Sequence, residues 1–227
     1  MSDDRIQGVQ ARSGTATVNI HRVYDEWAQT YDSDRNLTRD LDREVTRAEL
    51  GGLHCRVILE LGCGTGKNTP FLASISQEVH AIDISEGMIS RARTRPGLEN
   101  VRFSLADIRR PWPAEDHSVD LVVCNLVLEH VEDLHSVFSE SSRALVKGGR
   151  FFVCELHPFR QYQGTRARFH SSKGEQEIAA FVHHVSDYSG AAAECGFDVE
   201  HLKEWWHEED GGTPPRLISF MFCRRRS

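Results

Sequence analysis

A surplus of positive charge is missing from this sequence. Its 27 Lys and Arg are outnumbered by 34 Asp and Glu, a formal net charge of −7 over 227 residues. A general nucleic-acid binder carries a basic face, so nucleic acid is not an expected partner. The short basic run Arg224-Arg225-Arg226 reads as solvated chain end. Also absent is any apolar run near the ~18 residues needed to cross a bilayer, so no membrane span is expected. The opening Met1-Ser2-Asp3-Asp4-Arg5 does not read as a signal peptide. No two of the 6 cysteines form a C-x-x-C pair, and Cys124 and Cys154 sit inside apolar runs. They read as reduced, buried thiols of a cytoplasmic protein. No metal site is expected, and no internal repeat is present.

The length suits one domain with a sizeable core. Residues 1–17 are polar and small and are expected to be a flexible N-terminus, leaving 18–227 as a single domain. Within it, Val57-Ile58-Leu59-Glu60-Leu61 is a short apolar run broken only by Glu60, and Gly62, Gly64 and Gly66 follow it in alternation. Phe71, Leu72 and Ile75 then fall at helix-face spacing. This is strand, tight turn, helix. Glycines let the backbone approach a ligand, and a helix start offers free N–H groups that suit an anionic or strongly polar group. The spacing is G-x-G-x-G, not the G-x-G-x-x-G of dinucleotide folds, and Gly66-Lys67-Asn68 does not complete a P-loop. Glu60 places a carboxylate at the carboxyl end of a buried strand, where an unpaired charge is costly. That position calls for a cationic partner.

Around this stretch strands and helices alternate, which implies an α/β fold with a mostly parallel sheet and helices on both faces. Helical patterning runs from Val18 to Leu50, as one or two helices closed by Gly51-Gly52. Strands are expected over about 56–61, 78–83, 101–105, 119–124 and 151–156, with helices after Ser85 and over 132–145. Residues 157–185 fit no clear pattern, and a helix over 187–194 precedes two adjacent strands, 197–205 and 216–223, that form an antiparallel hairpin. Ligands of open α/β sheets bind at the carboxyl ends of the strands. Glu60 ends strand one, Asp83 ends strand two and Asp107 follows strand three. Asp83 is placed to accept from two vicinal ribose hydroxyls.

The run from Glu60 to Gly66 resembles motif I, E-x-G-x-G-x-G, of the class I S-adenosylmethionine-dependent methyltransferases. The C-terminal hairpin resembles the reversed last strand of their Rossmann-like seven-stranded sheet. Tyr24-Asp25-Glu26-Trp27-Ala28-Gln29-Thr30-Tyr31-Asp32 resembles the Y-D-x-W-A-x-x-Y-D lead-in of small-molecule members, such as quinone-biosynthesis methyltransferases. The resemblance implies S-adenosyl-L-methionine as cofactor and S-adenosyl-L-homocysteine as product. It divides the chain into a helical lid over 18–52, a cofactor-binding core over 53–156 and an acceptor-site segment over 157–188. Tyr24, Trp27 and Tyr31 are expected either to pack as an ordinary amphipathic helix or to cover the sulfonium, a contact worth up to ~2 kcal/mol when dry. Around the glycine turn the implied cofactor contacts are Glu60, Gly62, Cys63, Gly64, Gly66 and Asn68. Further along they are Asp83, Ile84 and Met88, then Ala106, Asp107 and Ile108, with the Asp107 carboxylate on the adenine amine. The backbone at Asn125 and Leu126 is expected along the methionine portion, with His130 close by.

Methyl transfer from a sulfonium is an in-line displacement that chiefly needs alignment. A base is needed only when the nucleophile keeps a proton of high pKa. His130, His157 and His183 are the candidates. Arg166, Arg168, His170, His184 and Tyr188 enrich the irregular segment, which suggests a planar or carboxylate-bearing small-molecule acceptor. Asn125-Leu126-Val127-Leu128 lacks the Asp/Asn-Pro-Pro-aromatic run that amino-methylating DNA enzymes resemble. Two other readings remain: a nicotinamide-dependent Rossmann oxidoreductase, and a non-catalytic S-adenosylmethionine-binding protein.

Overall fold

The computed structural model describes residues 20–33, 35–165, 168–171, 174–177 and 180–226, with backbone alone for 168–171 and 174–177. The expected flexible N-terminus over 1–17 lies outside the described residues. Nine strands are described: β1 (Cys55–Leu61), β2 (Ser76–Asp83), β3 (Val101–Leu105), β4 (Val119–Asn125), β5 (Leu145–Leu156), β6 (Arg168–Ser171), β7 (Gly174–Glu177), β8 (Phe197–Trp205) and β9 (Leu217–Arg224). The helices are α1 (Ile20–Trp27), α2 (Leu37–Leu50), α3 (Thr69–Ser74), α4 (Glu86–Ala92), α5 (Leu134–Ala144), α6 (Pro158–Tyr162) and α7 (Val185–Glu194).

Seven strands form one sheet in the order β3-β2-β1-β4-β5-β9-β8. The first five run parallel, and β9 pairs antiparallel with both β5 and β8. The strand order reverses at β1, which pairs with β2 on one side and β4 on the other. A crevice opens at such a reversal, beyond the carboxyl ends of the strands. The central strands alternate between two buried faces. Leu59, Val122, Phe151 and Phe222 join one apolar cluster with α5 and α7, while Ile58, Leu121, Phe152 and Met221 join the other with α2 and α3. Burial on both faces explains why these strands read as near-continuous apolar runs.

The Val18–Leu50 region resolves into two helices. Asn36, in extended conformation, accepts from Arg39 N at 3.0 Å and starts α2. The helix after the glycine turn is only six residues long. Strand β5 begins at Leu145, earlier than expected, because Lys147-Gly148-Gly149 lies within it; its register on β4 shifts between Val119 and Leu121. In the irregular segment, His157 caps α6 and β6 pairs antiparallel with β7. Neither element has a hydrophobic period long enough to read from sequence.

Under α5 an aromatic cluster anchors the far face. Phe138 is fully buried, and its ring meets Phe151 at 5.1 Å, Phe222 at 5.1 Å and Phe197 at 6.0 Å, all edge-on. These rings tie α5 to β5, β8 and β9, so Phe138→Ala should cost about 3–5 kcal/mol, read from the midpoint of urea unfolding at unchanged m-value.

Candidate active site

One open cavity lies at the carboxyl ends of β1, β2 and β4 and beyond the end of β3, where ligands of open α/β sheets bind. The three glycines of the turn do different work there. A Cβ on Gly62 would collide with Val127, and one on Gly66 would lie 3.0 Å from Ala92 of α4, so these two allow the chain to pack closely. Gly64 has φ +54 and no protein atom within 4 Å of where its Cβ would stand. That open space belongs to the cavity. Gly66 is expected to touch a ligand, but it does not line the cavity.

Four carboxylates surround this space: Asp42, Glu60, Asp83 and Asp107. Glu60 is 5% exposed and accepts from Thr69 Oγ1 at 2.7 Å. Burial pushes its carboxyl up to about 8, against the smaller opposing effect of Thr69. The cation that Glu60 calls for is not supplied by an ion pair among the described residues. Asp83 accepts from Gly64 N and from Ser85 N, both at 2.8 Å, while burial raises its pKa. The free N–H of the turn is thus taken by Asp83. An anionic ligand at the helix start, one of the two expectations from sequence, is replaced by a site that suits positive charge. Burial opposes ionisation of Asp107, but hydrogen bonds from Arg109 (Nε at 2.8 Å, Nη2 at 2.7 Å) outweigh it and hold that carboxyl below its ordinary value.

Asp42 was not among the expected contacts. It is 4% exposed, on α2, and each of its oxygens takes one amide: Asn68 Nδ2 at 2.8 Å and Asn125 Nδ2 at 2.6 Å. The Oδ1 atoms of Asn68 and Asn125 are buried without a hydrogen-bond partner. Arg39, also on α2, lines the cavity with its guanidinium 4.0 Å above the Tyr31 ring. The signal in the sequence was available: Asp42 and Thr46 are polar residues four apart, next to Leu41 and Val45 on the inward face of α2.

The aromatic lead-in splits in the same way. Tyr24 and Tyr31 line the cavity. Trp27 does not: its buried ring packs 5.8 Å from Tyr24 and 4.7 Å from Tyr31, and its expected cofactor contact gives way to support of the two tyrosines. The two aspartates of that stretch are latches. Asp25 Oδ1 accepts from Ser85 Oγ at 2.5 Å and Gly87 N at 3.0 Å, at the start of α4. Asp32 accepts from Thr65 Oγ1 at 2.7 Å and Arg95 Nη2 at 2.8 Å, beside the glycine turn. Cys63, Ile84, Met88, Ala106, Ile108 and Leu126 all line the cavity. Leu126 has φ +56, a strained conformation for a branched side chain, where the chain leaves β4.

Of the three histidines only His130 lines the cavity. Its Nε2 lies 2.7 Å from Tyr24 Oη and 3.7 Å from Glu129 Oε1. Burial raises the Tyr24 phenol well above its usual range, so it keeps its proton. His157 is spent elsewhere: Nδ1 accepts from Phe159 N at 3.1 Å and Nε2 meets Glu204 at 2.9 Å. His183 Nε2 faces the Leu128 and Val131 carbonyls at 3.1 and 2.7 Å. Both expectations of catalysis are corrected on these grounds: the rings hold the backbone in place. The described part of 157–188 is equally occupied. Arg160 pairs with Asp210 at 2.9 Å, and Tyr162 Oη bonds His184 Nδ1 at 2.5 Å. Tyr188 is buried and stacks 5.0 Å from Phe220. Arg166 and the side chains of Arg168 and His170 lie outside the described residues.

The donor set fits S-adenosylmethionine: buried carboxylates and two unpartnered amide oxygens for an ammonium and a sulfonium, with Ile84, Met88 and Ile108 as apolar walls. Among the described residues no group of three metal-binding side chains occurs.

Comparison with known proteins agrees with this geometry. A family model described as a methyltransferase domain matches residues 59–153. A malonyl-acyl-carrier-protein O-methyltransferase of Halorhodospira halophila is 32% identical over 187 residues, 74% of this chain; the match spans 63% of that relative, under two thirds of its length. A demethylmenaquinone methyltransferase of Tropheryma whipplei is 31% identical over 202 residues, covering 87% of this chain and 81% of the relative. An S-adenosylmethionine-dependent methyltransferase from Mesorhizobium loti shares the fold, with TM-score 0.66 at 22% identity over 80% of this chain and 96% of its own.

The raised Glu60 carboxyl gives stability a pH dependence. The folded chain holds a proton that the unfolded chain releases near 4.5, so stability falls as pH rises from about 4.5 through about 8 and then levels off. Glu155, also pushed up to about 8 by burial, acts in the same direction. Glu60→Gln should make this decline shallower, measured as melting temperature across that range without ligand.

Proposed function

This chain belongs to the class I S-adenosylmethionine-dependent methyltransferases, and from that premise we propose that it methylates a small organic acceptor whose attacking atom carries a proton. The observation that carries this reading is the Tyr24–His130 hydrogen bond of 2.7 Å inside the cavity that also holds Glu60 and Asp83. Bound S-adenosylmethionine supplies a methyl group already activated on a sulfonium. Every other part of the work falls to the chain. Asp83 receives the ribose hydroxyls, and Asp107 stands where the adenine amine is expected. Glu60 and the two amide oxygens receive the ammonium, and Arg39 offers a guanidinium to the carboxylate. Tyr24 and Tyr31 cover the sulfonium, with α1 and α2 serving as a lid latched by Asp25 and Asp32.

Proton removal uses the pair. With the proton of His130 on Nδ1, the Tyr24 hydroxyl donates to Nε2. As the acceptor loses its proton to Tyr24 Oη, the phenol passes its own to His130, and Glu129 at 3.7 Å offsets the imidazolium charge. The acceptor gains a methyl and loses one proton, and S-adenosylhomocysteine remains. The two relatives are named for malonyl-acyl-carrier protein and for demethylmenaquinone, and of these chemistries a planar acceptor such as a demethylmenaquinone is the one to try for an attacking atom that carries a proton. The acidic surface charge supports a substrate other than nucleic acid. Six unbridged cysteines support a reducing compartment, the cytoplasm. No described helix is long and apolar enough to cross a membrane.

Transfer of labelled methyl to a soluble demethylmenaquinone analogue tests the function; transfer only to a malonyl-acyl-carrier protein, whose carboxylate attacks without a proton, removes the proton-bearing acceptor. Tyr24→Phe and His130→Gln should each lower kcat by roughly 10²-fold, with S-adenosylhomocysteine affinity in calorimetry changed by less than about twofold. Unchanged kcat in both variants removes proton transfer by this pair. Binding of NADH in place of S-adenosylhomocysteine removes the cofactor assignment.

A further inference from the structure

We propose that Asp42 is a positioning residue for the amino-acid end of the cofactor: it holds the Asn68 and Asn125 amides so that both carbonyl oxygens are presented to the ammonium. This rests on the cofactor reading of the cavity. Asn125 shows the orientation most fully. Its Nδ2 has two partners, Asp42 Oδ1 at 2.6 Å and Thr46 Oγ1 at 2.7 Å. The Thr46 hydroxyl donates to the Asp42 carbonyl at 2.8 Å, so its lone pair is what meets Asn125. Both amide hydrogens of Asn125 are therefore used by α2. A carboxylate has no hydrogen to give, so Asp42 can accept only from the NH2 end of each amide. Asn68 obeys the same rule through Nδ2 and Asp42 Oδ2 at 2.8 Å.

The result is two buried acceptors, Asn68 Oδ1 and Asn125 Oδ1, that the protein leaves without partners in residues lining the cavity. A buried polar atom without a partner is costly, and two in one cavity point to a ligand that donates. An ammonium has three hydrogens, and Glu60 stands in the same cavity as the third acceptor. Asp42 reaches the ligand only through the amides. An amide at position 42 would present donor and acceptor alike, and the two asparagines would be free to turn their own NH2 groups toward the ammonium.

The test compares two ligands that differ at this end. S-Adenosylhomocysteine carries the ammonium; 5′-methylthioadenosine has the same nucleoside and thioether without the amino acid. Calorimetric titration of Asp42→Asn should show S-adenosylhomocysteine weakened by about tenfold or more, with 5′-methylthioadenosine held within about twofold of the parent protein. If Asp42→Asn does not fold, Thr46→Val, which frees the second Asn125 hydrogen, should give the same one-sided loss. Equal weakening of both ligands, or of neither, overturns the proposal by making Asp42 a structural residue. A parent protein that binds neither ligand overturns the cofactor reading instead.

Discussion

Burying Asp42, Glu60 and Asp83 with no ion pair to any of the three among the described residues is the constraint on which the rest of this structure depends. Glu60 sits at 5% exposure on a central strand, with a threonine hydroxyl as its hydrogen-bond partner among the described residues, and Asp42 and Asp83 share the same cavity. Such groups lose their hydration and repel one another. The fold tolerates this because each carboxylate is held by neutral donors: Thr69 for Glu60, two backbone N–H groups for Asp83, two amides for Asp42. Neutral donors stabilise a carboxylate without cancelling its charge. Burial pushes Glu60 up to about 8, so it holds a proton in the unliganded chain at neutral pH, and a bound cation favours its ionised form; the donors around it are preorganised before binding.

That arrangement explains how the N-terminal helices relate to the sheet. They are fastened by four aspartates: Asp25 on the start of α4, Asp32 on the glycine turn, Asp40 on Lys67, and Asp42 on the asparagines that follow β1 and end β4. Each contact ends on a loop that shapes the cavity. The position of the N-terminal helices and the shape of the cavity are thus one property, and Tyr24 bonds to His130 within it.

Much of this was legible from the chain. The strand, glycine turn and helix were read from local apolar runs and glycine spacing, and the parallel core followed from alternation. The antiparallel end followed from two adjacent runs joined by Gly211-Gly212 and Pro214-Pro215. The acids at Glu60, Asp83 and Asp107 were legible because a parallel sheet puts all its carboxyl strand ends at one edge. The short elements α6, β6 and β7 were not, since four or five residues carry no measurable period. Three histidines looked alike in sequence. His157 and His183 proved to be caps and braces, and a histidine's use depends on which neighbours its two nitrogens meet.

The chain by itself determined the fold class and the acidic edge, because period, glycine spacing and strand ends are properties of neighbouring residues. Only the tertiary structure decided what fills the space between them. Asp42 meets Asn68 across 26 positions and Asn125 across 83, and Tyr24 meets His130 across 106. No local pattern records such distances; they are set when α1 and α2 pack onto the sheet. A hydrogen bond is directional and reaches about 3 Å, so which residues share one is settled by packing, after the apolar pattern has already chosen the architecture.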